Sequence, residues 1–162
     1  MTHRFAGKTA LVTGGGSGIG RATALALAAE GALVTVSGRT EETLKETMHL
    51  VQAVGGSARY VVADVSDESM VEAAVEAAIG DTGRLDFAVN NAGYDGEFQL
   101  TTDYSTEMLD RMIAVSMAAP RASAVAYDEV SAGRRRDELA KAGATDIEKF
   151  DVKPGELPTP RR

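Results

Sequence analysis

The sequence contains no cysteine and no tryptophan. Without thiols there is no disulfide framework and no thiolate metal site. Only two histidines are present, His3 and His49, and nothing in their spacing suggests a shared site, so no metal is expected. Positive charge is also scarce. Lys and Arg number 17 against 24 Asp and Glu, for a net charge of −7, which argues against nucleic acid or an anionic membrane as partner. No apolar run approaches the ~18 residues of a membrane span. Met1–Ala6 leads directly into a strand-like segment, so no signal peptide is expected. A soluble cytoplasmic protein is the expectation.

A length of 162 residues fits one domain with a real core. With aromatics at 5%, the apolar content is carried mostly by Ala, Val, Leu and Ile, beside 17 glycines. That mixture suits Ala-rich helices packed closely on a sheet of branched residues, the α/β class.

The first two-thirds of the chain alternates strand and helix. Strands are expected at Thr9–Thr13, Ala32–Ser37, Arg59–Ala63 and Leu85–Val89. A helix from about Ile19 to Glu30 has Ala22, Ala26 and Ala29 as its small-residue face, with Gly31 ending it. Thr40 caps a second helix, with Glu41 and Glu42 in the first turn, that stops at Gly55-Gly56. Ser66 caps a third, whose apolar face is Val71, Ala74, Val75, Ala78 and Ile79. A fourth helix, about Tyr104 to Ala118, groups Leu109, Met112, Ile113 and Ser116 on one face. Short connections in a strand–helix alternation demand parallel strands and right-handed crossovers. The expected fold is α/β: a Rossmann-like, doubly wound parallel sheet, incomplete, of at least four strands. Its ligand crevice lies at the carboxyl ends of those strands.

The motifs fall at those ends. Thr13-Gly14-Gly15-Gly16-Ser17-Gly18-Ile19-Gly20 joins a strand to a helix. Glycines there permit positive φ and let backbone approach a pyrophosphate, while the helix N-terminus offers free N–H groups. At the end of the second strand, an acid usually holds an NAD ribose, whereas an Arg meets an NADP 2′-phosphate. Gly38 occupies the acid's place and Arg39 follows it. A guanidinium grips phosphate bidentately, which favours NADP with NAD as the alternative. Read alone, Arg39 is a solvated surface residue.

The spacing of Gly14, Gly18 and Gly20 departs from Gly-x-Gly-x-x-Gly. It resembles the Thr-Gly-x-x-x-Gly-x-Gly pattern of the short-chain dehydrogenase/reductase family. Asn90-Asn91-Ala92-Gly93 resembles that family's Asn-Asn-Ala-Gly motif, and Asp64-Val65 its adenine-contacting Asp-Val. The likeness covers about two-thirds of the chain. It implies one Rossmann domain and a nicotinamide dinucleotide held by Gly14, Ser17, Gly18, Ile19, Gly20, Arg39, Asp64, Val65, Asn90, Ala92 and Gly93. It also implies hydride transfer on an alcohol or ketone.

The catalytic half departs from the pattern. The family uses a Tyr-x-x-x-Lys pair, because a phenol near pKa 10 needs tuning to act near neutral pH. Four residues after Tyr60, Tyr94, Tyr104 and Tyr127 stand Asp64, Phe98, Met108 and Ser131. The family's helix-four Asn falls on Ser116, read as facing inward. Tyr127–Gly133 echoes Tyr-x-x-x-Lys-Ala-Gly with Ser131 for Lys, and Pro154–Thr159 echoes the family's Pro-Gly-x-x-x-Thr. Only eleven positions separate Ser116 from Tyr127, too few for the family's fifth strand and catalytic Ser.

Residues 1–118 are therefore read as the dinucleotide-binding region. Residues 119–162 are read as a divergent segment with a short helix at Asp137–Ala142 and a strand at Ile147–Val152. The leading expectation is a truncated, dinucleotide-binding member with weak or no oxidoreductase activity. One alternative is an active NADP(H)-dependent oxidoreductase using Tyr127 or a partner chain's residue. The other is a non-catalytic structural or regulatory partner of a full-length relative. An open sheet edge beyond the fourth strand leads us to expect a homo-oligomer.

Overall fold

Five consecutive buried residues, Thr9–Thr13, form the strand β1 at the centre of the molecule. The computed structural model describes residues 3–97 and 100–118. After β1 come α1 (Gly18–Ala29), β2 (Leu33–Gly38), α2 (Glu41–Ala53), β3 (Ser57–Val62) and α3 (Glu68–Ile79). Beyond them lie β4 (Phe87–Asn90), α4 (Thr106–Ile113) and a π turn at Ala114–Ala118. The strands are parallel in the order β3-β2-β1-β4. The chain winds outward from β1 through β2 to β3, then crosses back to place β4 on the other side of β1. The crevice between β1 and β4 is thus the topological switch point. The chain forms the expected doubly wound α/β sheet. The expectations for Tyr127, Ser131, Asp137–Ala142, Ile147–Val152 and Pro154–Thr159 lie outside the described residues.

Side chains alternate across the sheet with a period of two. Val12, Val34 and Val36 point to one face and pack with Ala24 and Ala28 of α1 and Leu44 and Val51 of α2. Leu11 points to the other and packs with Val71, Ala74, Val75, Ala78 and Ile79 of α3. The apolar face expected for α3 is therefore the buried one, residue for residue. Among the described residues, no helix is long and apolar enough to cross a membrane.

Three local expectations need correction. The buried face of α1 is Gly20, Ala24 and Ala28; Ala22, Ala26 and Ala29 are exposed. Alanines occur on every side of this helix, so periodicity could not choose its phase. The close approach of Gly20 to β4's end chooses it. At α3, the cap is Asp67, whose carboxylate accepts from the N–H groups of Ser69 and Met70; Ser66 is turned toward Asp64 instead. The fourth helix is shorter than expected. Ser105 caps it, and the π turn shifts the helical phase beyond Ile113, so that Val115 is buried and Ser116 exposed. Leu109 and Ile113 are exposed as well.

The amino ends of the central strands are tied together by one carboxylate. Asp86, just before β4, accepts from Lys8 Nζ and from the Thr9 N–H at 2.9 Å each, and from Arg84 Nε at 3.1 Å. Burial pushes this carboxyl upward, but the Lys8 ammonium, the Thr9 N–H and Arg84 outweigh it and hold it at about 2. The carboxylate's contribution is full above the ordinary Asp value of 3.8 and is lost as pH falls toward about 2. Asp86→Ala should cost on the order of 1.5–3 kcal/mol at pH 7. The gap between wild type and variant should shrink between pH 4 and 2, as urea unfolding across that range will show. A constant gap would mean the cost is one of packing, not charge.

Candidate functional site

Four segments carry polar groups to the carboxyl ends of the strands, in the order Asp64, Arg39, the glycine-rich turn and Asn90–Gly93. This row follows from the strand order, since each segment immediately succeeds its strand.

The turn after β1 is built by close packing. Gly14 has φ of +65° and Gly18 of +51°, both left-handed. A Cβ at Gly14 would sit 2.8 Å from Asn91 Nδ2, and one at Gly20 would overlap the Gly14 carbonyl oxygen. Gly18 is different, because a Cβ there would meet nothing within 4 Å. Gly14 and Gly20 serve the chain's own packing, while Gly18 opens onto the crevice. Ser17 is the N-cap residue of α1, yet its side chain makes no capping bond. Ile19 is 79% exposed at the mouth.

Asn91 carries no signal in the sequence that sets it apart from Asn90, yet it organises the junction. Its Nδ2 donates to the carbonyls of Thr13 at 3.1 Å and Gly14 at 3.3 Å. In return Thr13 Oγ1 accepts from the Asn91 and Ala92 N–H groups, at 3.1 Å each. Thr13 and Asn90 are register partners, so the exchange locks the two strand ends at the switch point. Asn90, the residue expected to serve the crevice, is exposed at its rim, as is Gly93; Ala92 is half-buried.

On the other wing, Asp64 Oδ1 accepts from the Ser66 hydroxyl at 2.7 Å and the Ser66 N–H at 3.0 Å. The Ser66 hydroxyl and N–H hold this carboxyl below the ordinary range against the opposing effect of burial, and the charges of Arg39 and Arg111 help. Both Ser66 bonds fall on Oδ1. Arg39 is exposed and, among the described residues, makes no hydrogen bond or ion pair. Val65 belongs instead to the core beneath α3.

The serine at the family's helix-four Asn position and the three described tyrosines each have a partner. Ser116 is exposed, and its Oγ accepts from the Tyr94 N–H at 3.3 Å. The Tyr94 ring lies under the Arg111 guanidinium, 4.9 Å from the centroid. Tyr104 donates its hydroxyl to the Glu97 carbonyl, and Tyr60 to Glu41. The bond to Glu41 pushes the Tyr60 phenol up, with burial adding to it. That is the opposite of what acid/base work near neutral pH requires.

Comparison with known proteins bears on this geometry. A family model described as short chain dehydrogenase matches residues 8–129. A second, of a domain of unknown function, matches residues 119–157. Levodione reductase of Leifsonia aquatica is 40% identical over 118 residues, covering 72% of this chain and 44% of that protein. The crystal structure of an NAD+-bound xylitol dehydrogenase superposes with a TM-score of 0.74 at 34% identity, covering 81% of this chain and 50% of that one. A metagenomic short-chain oxidoreductase in complex with NADP gives 0.73 at 30% identity, covering 80% and 59%. The chain thus spans about half the length of these proteins.

The geometry separates the two adjacent asparagines. Asn91→Ala should lower stability by about 1–3 kcal/mol, since it strips the carbonyls of Thr13 and Gly14 of a donor. Asn90→Ala, at an exposed position, should stay within roughly 0.5 kcal/mol. Urea midpoints of the two variants check this, and equal midpoints would remove Asn91 from its place in the junction.

Proposed function

The chain belongs to the short-chain dehydrogenase family, and we propose that it binds a nicotinamide dinucleotide, NADP in preference to NAD, without performing hydride transfer on its own. The observation that carries this reading is the row of groups along the strand ends. It consists of an open Gly18 at a helix N-terminus, an exposed Arg39 outside the ion pairs of the described residues, and an Asp64 carboxylate whose two bonds from Ser66 both fall on Oδ1. Such a row fits an elongated ligand with a pyrophosphate at its middle, a phosphorylated ribose and an adenine amine. The turn Gly14–Gly20 would hold the pyrophosphate with Ser17 and Ile19 at its lip. Arg39 would meet the 2′-phosphate, and Asp64 would accept from the adenine amine. Asn90, Ala92 and Gly93 would border the other ribose. The dinucleotide supplies the hydride chemistry when bound.

Preference for NADP rests on Arg39 and on the lack of a carboxylate at Gly38. Relatives with either cofactor are known, as the NAD+-bound and NADP-bound structures illustrate. The absence of turnover rests on the tyrosines. None of the four has a Lys four residues on, and Tyr60, Tyr94 and Tyr104 are engaged with Glu41, Arg111 and Glu97. In this reading residues 1–118 supply the cofactor region and residues 119–162 a divergent segment, and the protein is cytoplasmic.

Fluorescence titration tests the reading. Wild type should bind NADPH saturably, and Arg39→Ala should weaken NADPH by on the order of 1.5–3 kcal/mol while leaving NADH nearly unchanged. Equal losses for both would remove Arg39 from phosphate recognition. No response at millimolar NADPH would favour a purely structural partner role. The NADPH complex should reduce no simple ketone near pH 7. Turnover there that Tyr127→Phe abolishes would establish the active-enzyme alternative instead.

We also propose a homo-oligomer. The reading is supported by Leu109, Ile113 and Met117, which are 51%, 44% and 71% exposed on α4 and its π turn, apolar surface that a second copy could cover. Light scattering at micromolar concentration should give at least a dimer, and a monomeric mass would refute this.

A further inference from the structure

Behind the glycine-rich turn, on the side away from the crevice, two side chains engage its carbonyls. Thr47, fully buried on α2, shares its one hydroxyl proton between the Gly15 carbonyl at 3.0 Å and the Thr43 carbonyl at 3.1 Å. Arg21 of α1 donates through Nη2 to the Gly16 carbonyl and, at 3.5 Å, to the Thr43 carbonyl. Its Nε donates to Thr47 Oγ1 at 3.1 Å, and Glu46 pairs with Nη2 at 2.7 Å. The hydroxyl of Thr47 and the fork of Arg21 thus form one connected unit linking the turn to α2. The packing is equally close, since a Cβ at Gly16 would lie 2.5 Å from Thr43 Oγ1.

A trans peptide points its C=O and N–H in opposite directions. A Gly15 carbonyl drawn back toward Thr47 aims the Gly16 N–H forward, and a Gly16 carbonyl drawn back toward Arg21 aims the Ser17 N–H forward. Among the described residues no acceptor meets either N–H. We propose that Arg21 and Thr47 are positioning residues that hold these two peptide planes with their donors facing the crevice, so that α2 sets the affinity of the turn for a pyrophosphate. This rests on the dinucleotide reading above and adds to it a layer that no ligand touches. The guanidinium serves here as a multi-bond fork, a geometry that Lys does not reproduce.

The experiment compares three probes on the full chain: NADPH, ADP and adenosine 2′-monophosphate. The first two carry a pyrophosphate and the third does not. Thr47→Val keeps the side chain's shape and removes the donor. It should weaken NADPH and ADP about tenfold and leave adenosine 2′-monophosphate within about twofold of wild type. Thr47→Ser, which keeps the hydroxyl, should restore both. Arg21→Lys should show the same selective loss, and it carries the test if Thr47→Val does not fold. A uniform loss across the three probes would mean a merely structural role and overturn the proposal, as would unchanged ADP affinity in both variants. If wild type binds neither NADPH nor ADP, the dinucleotide reading fails first and this one with it.

Discussion

The reciprocal exchange between Thr13 and Asn91 is the contact on which the rest of the site depends. One side-chain amide sits against two carbonyls of the neighbouring strand end, and one hydroxyl accepts from two N–H groups in return. A parallel sheet leaves backbone groups unpaired where strands end, and burying them without partners is costly. Here they are satisfied by each other across the switch point. This fixes the separation of β1 and β4 and brings Gly14 and Gly20 against Asn91 closely enough that no Cβ fits. The same closeness sets the phase of α1. The cradle and the core packing are in this sense one constraint.

The molecule divides its electrostatics between the two ends of its sheet. At the amino ends, Asp86 gathers Lys8, Arg84 and a backbone donor into a closed cluster in which charges are paired. At the carboxyl ends, charges and donors are left open. Arg39 has no ion-pair partner among the described residues, and there the N–H groups of Gly16 and Ser17 meet no acceptor. Unpaired groups of this kind gain nothing for the fold, and water solvates them adequately. Their concentration at one end, beside a backbone held open by Gly18, is what distinguishes a binding edge from an ordinary solvated one.

Much of this was readable in the chain's local patterns. The boundaries of β1 and the five buried positions of α3 follow from a short branched run and a clean 3.6-residue period. The glycine-rich turn was legible because spacing and context agree. The phase of α1 was not, since Ala on several faces leaves periodicity without contrast and a long-range contact decides. The π turn after α4 was invisible for a similar reason: no proline or glycine marks it, and it reverses which of Val115 and Ser116 is buried. Asn91 lay inside a recognised motif, yet choosing it over Asn90 needs the strand register. Arg21 and Thr47 lie 26 residues apart and meet only because α1 and α2 share a face. No local pattern encodes that meeting.

Binding and chemistry need not travel together in such a fold. The cradle is assembled from Thr13 to Gly93, from turns that succeed four strands already paired with one another. Each of its groups is oriented by a neighbour within that same stretch: Asn91 by Thr13, Asp64 by Ser66, and the turn by Thr47 and Arg21. An acid/base pair makes different demands. It needs a phenol with a lowered pKa, and therefore a cation beside it that is not already neutralised. The three described tyrosines are each engaged with another group. Tyr60 is hydrogen-bonded to a carboxylate, which drives its phenol the wrong way. Tyr94 meets Arg111 through its ring face, so the guanidinium lies over the ring at 4.9 Å and supports packing. Tyr104 donates its hydroxyl hydrogen bond to the Glu97 carbonyl. A cradle complete within one stretch of chain, beside tyrosines committed to structural partners, is physically self-consistent as a binding domain.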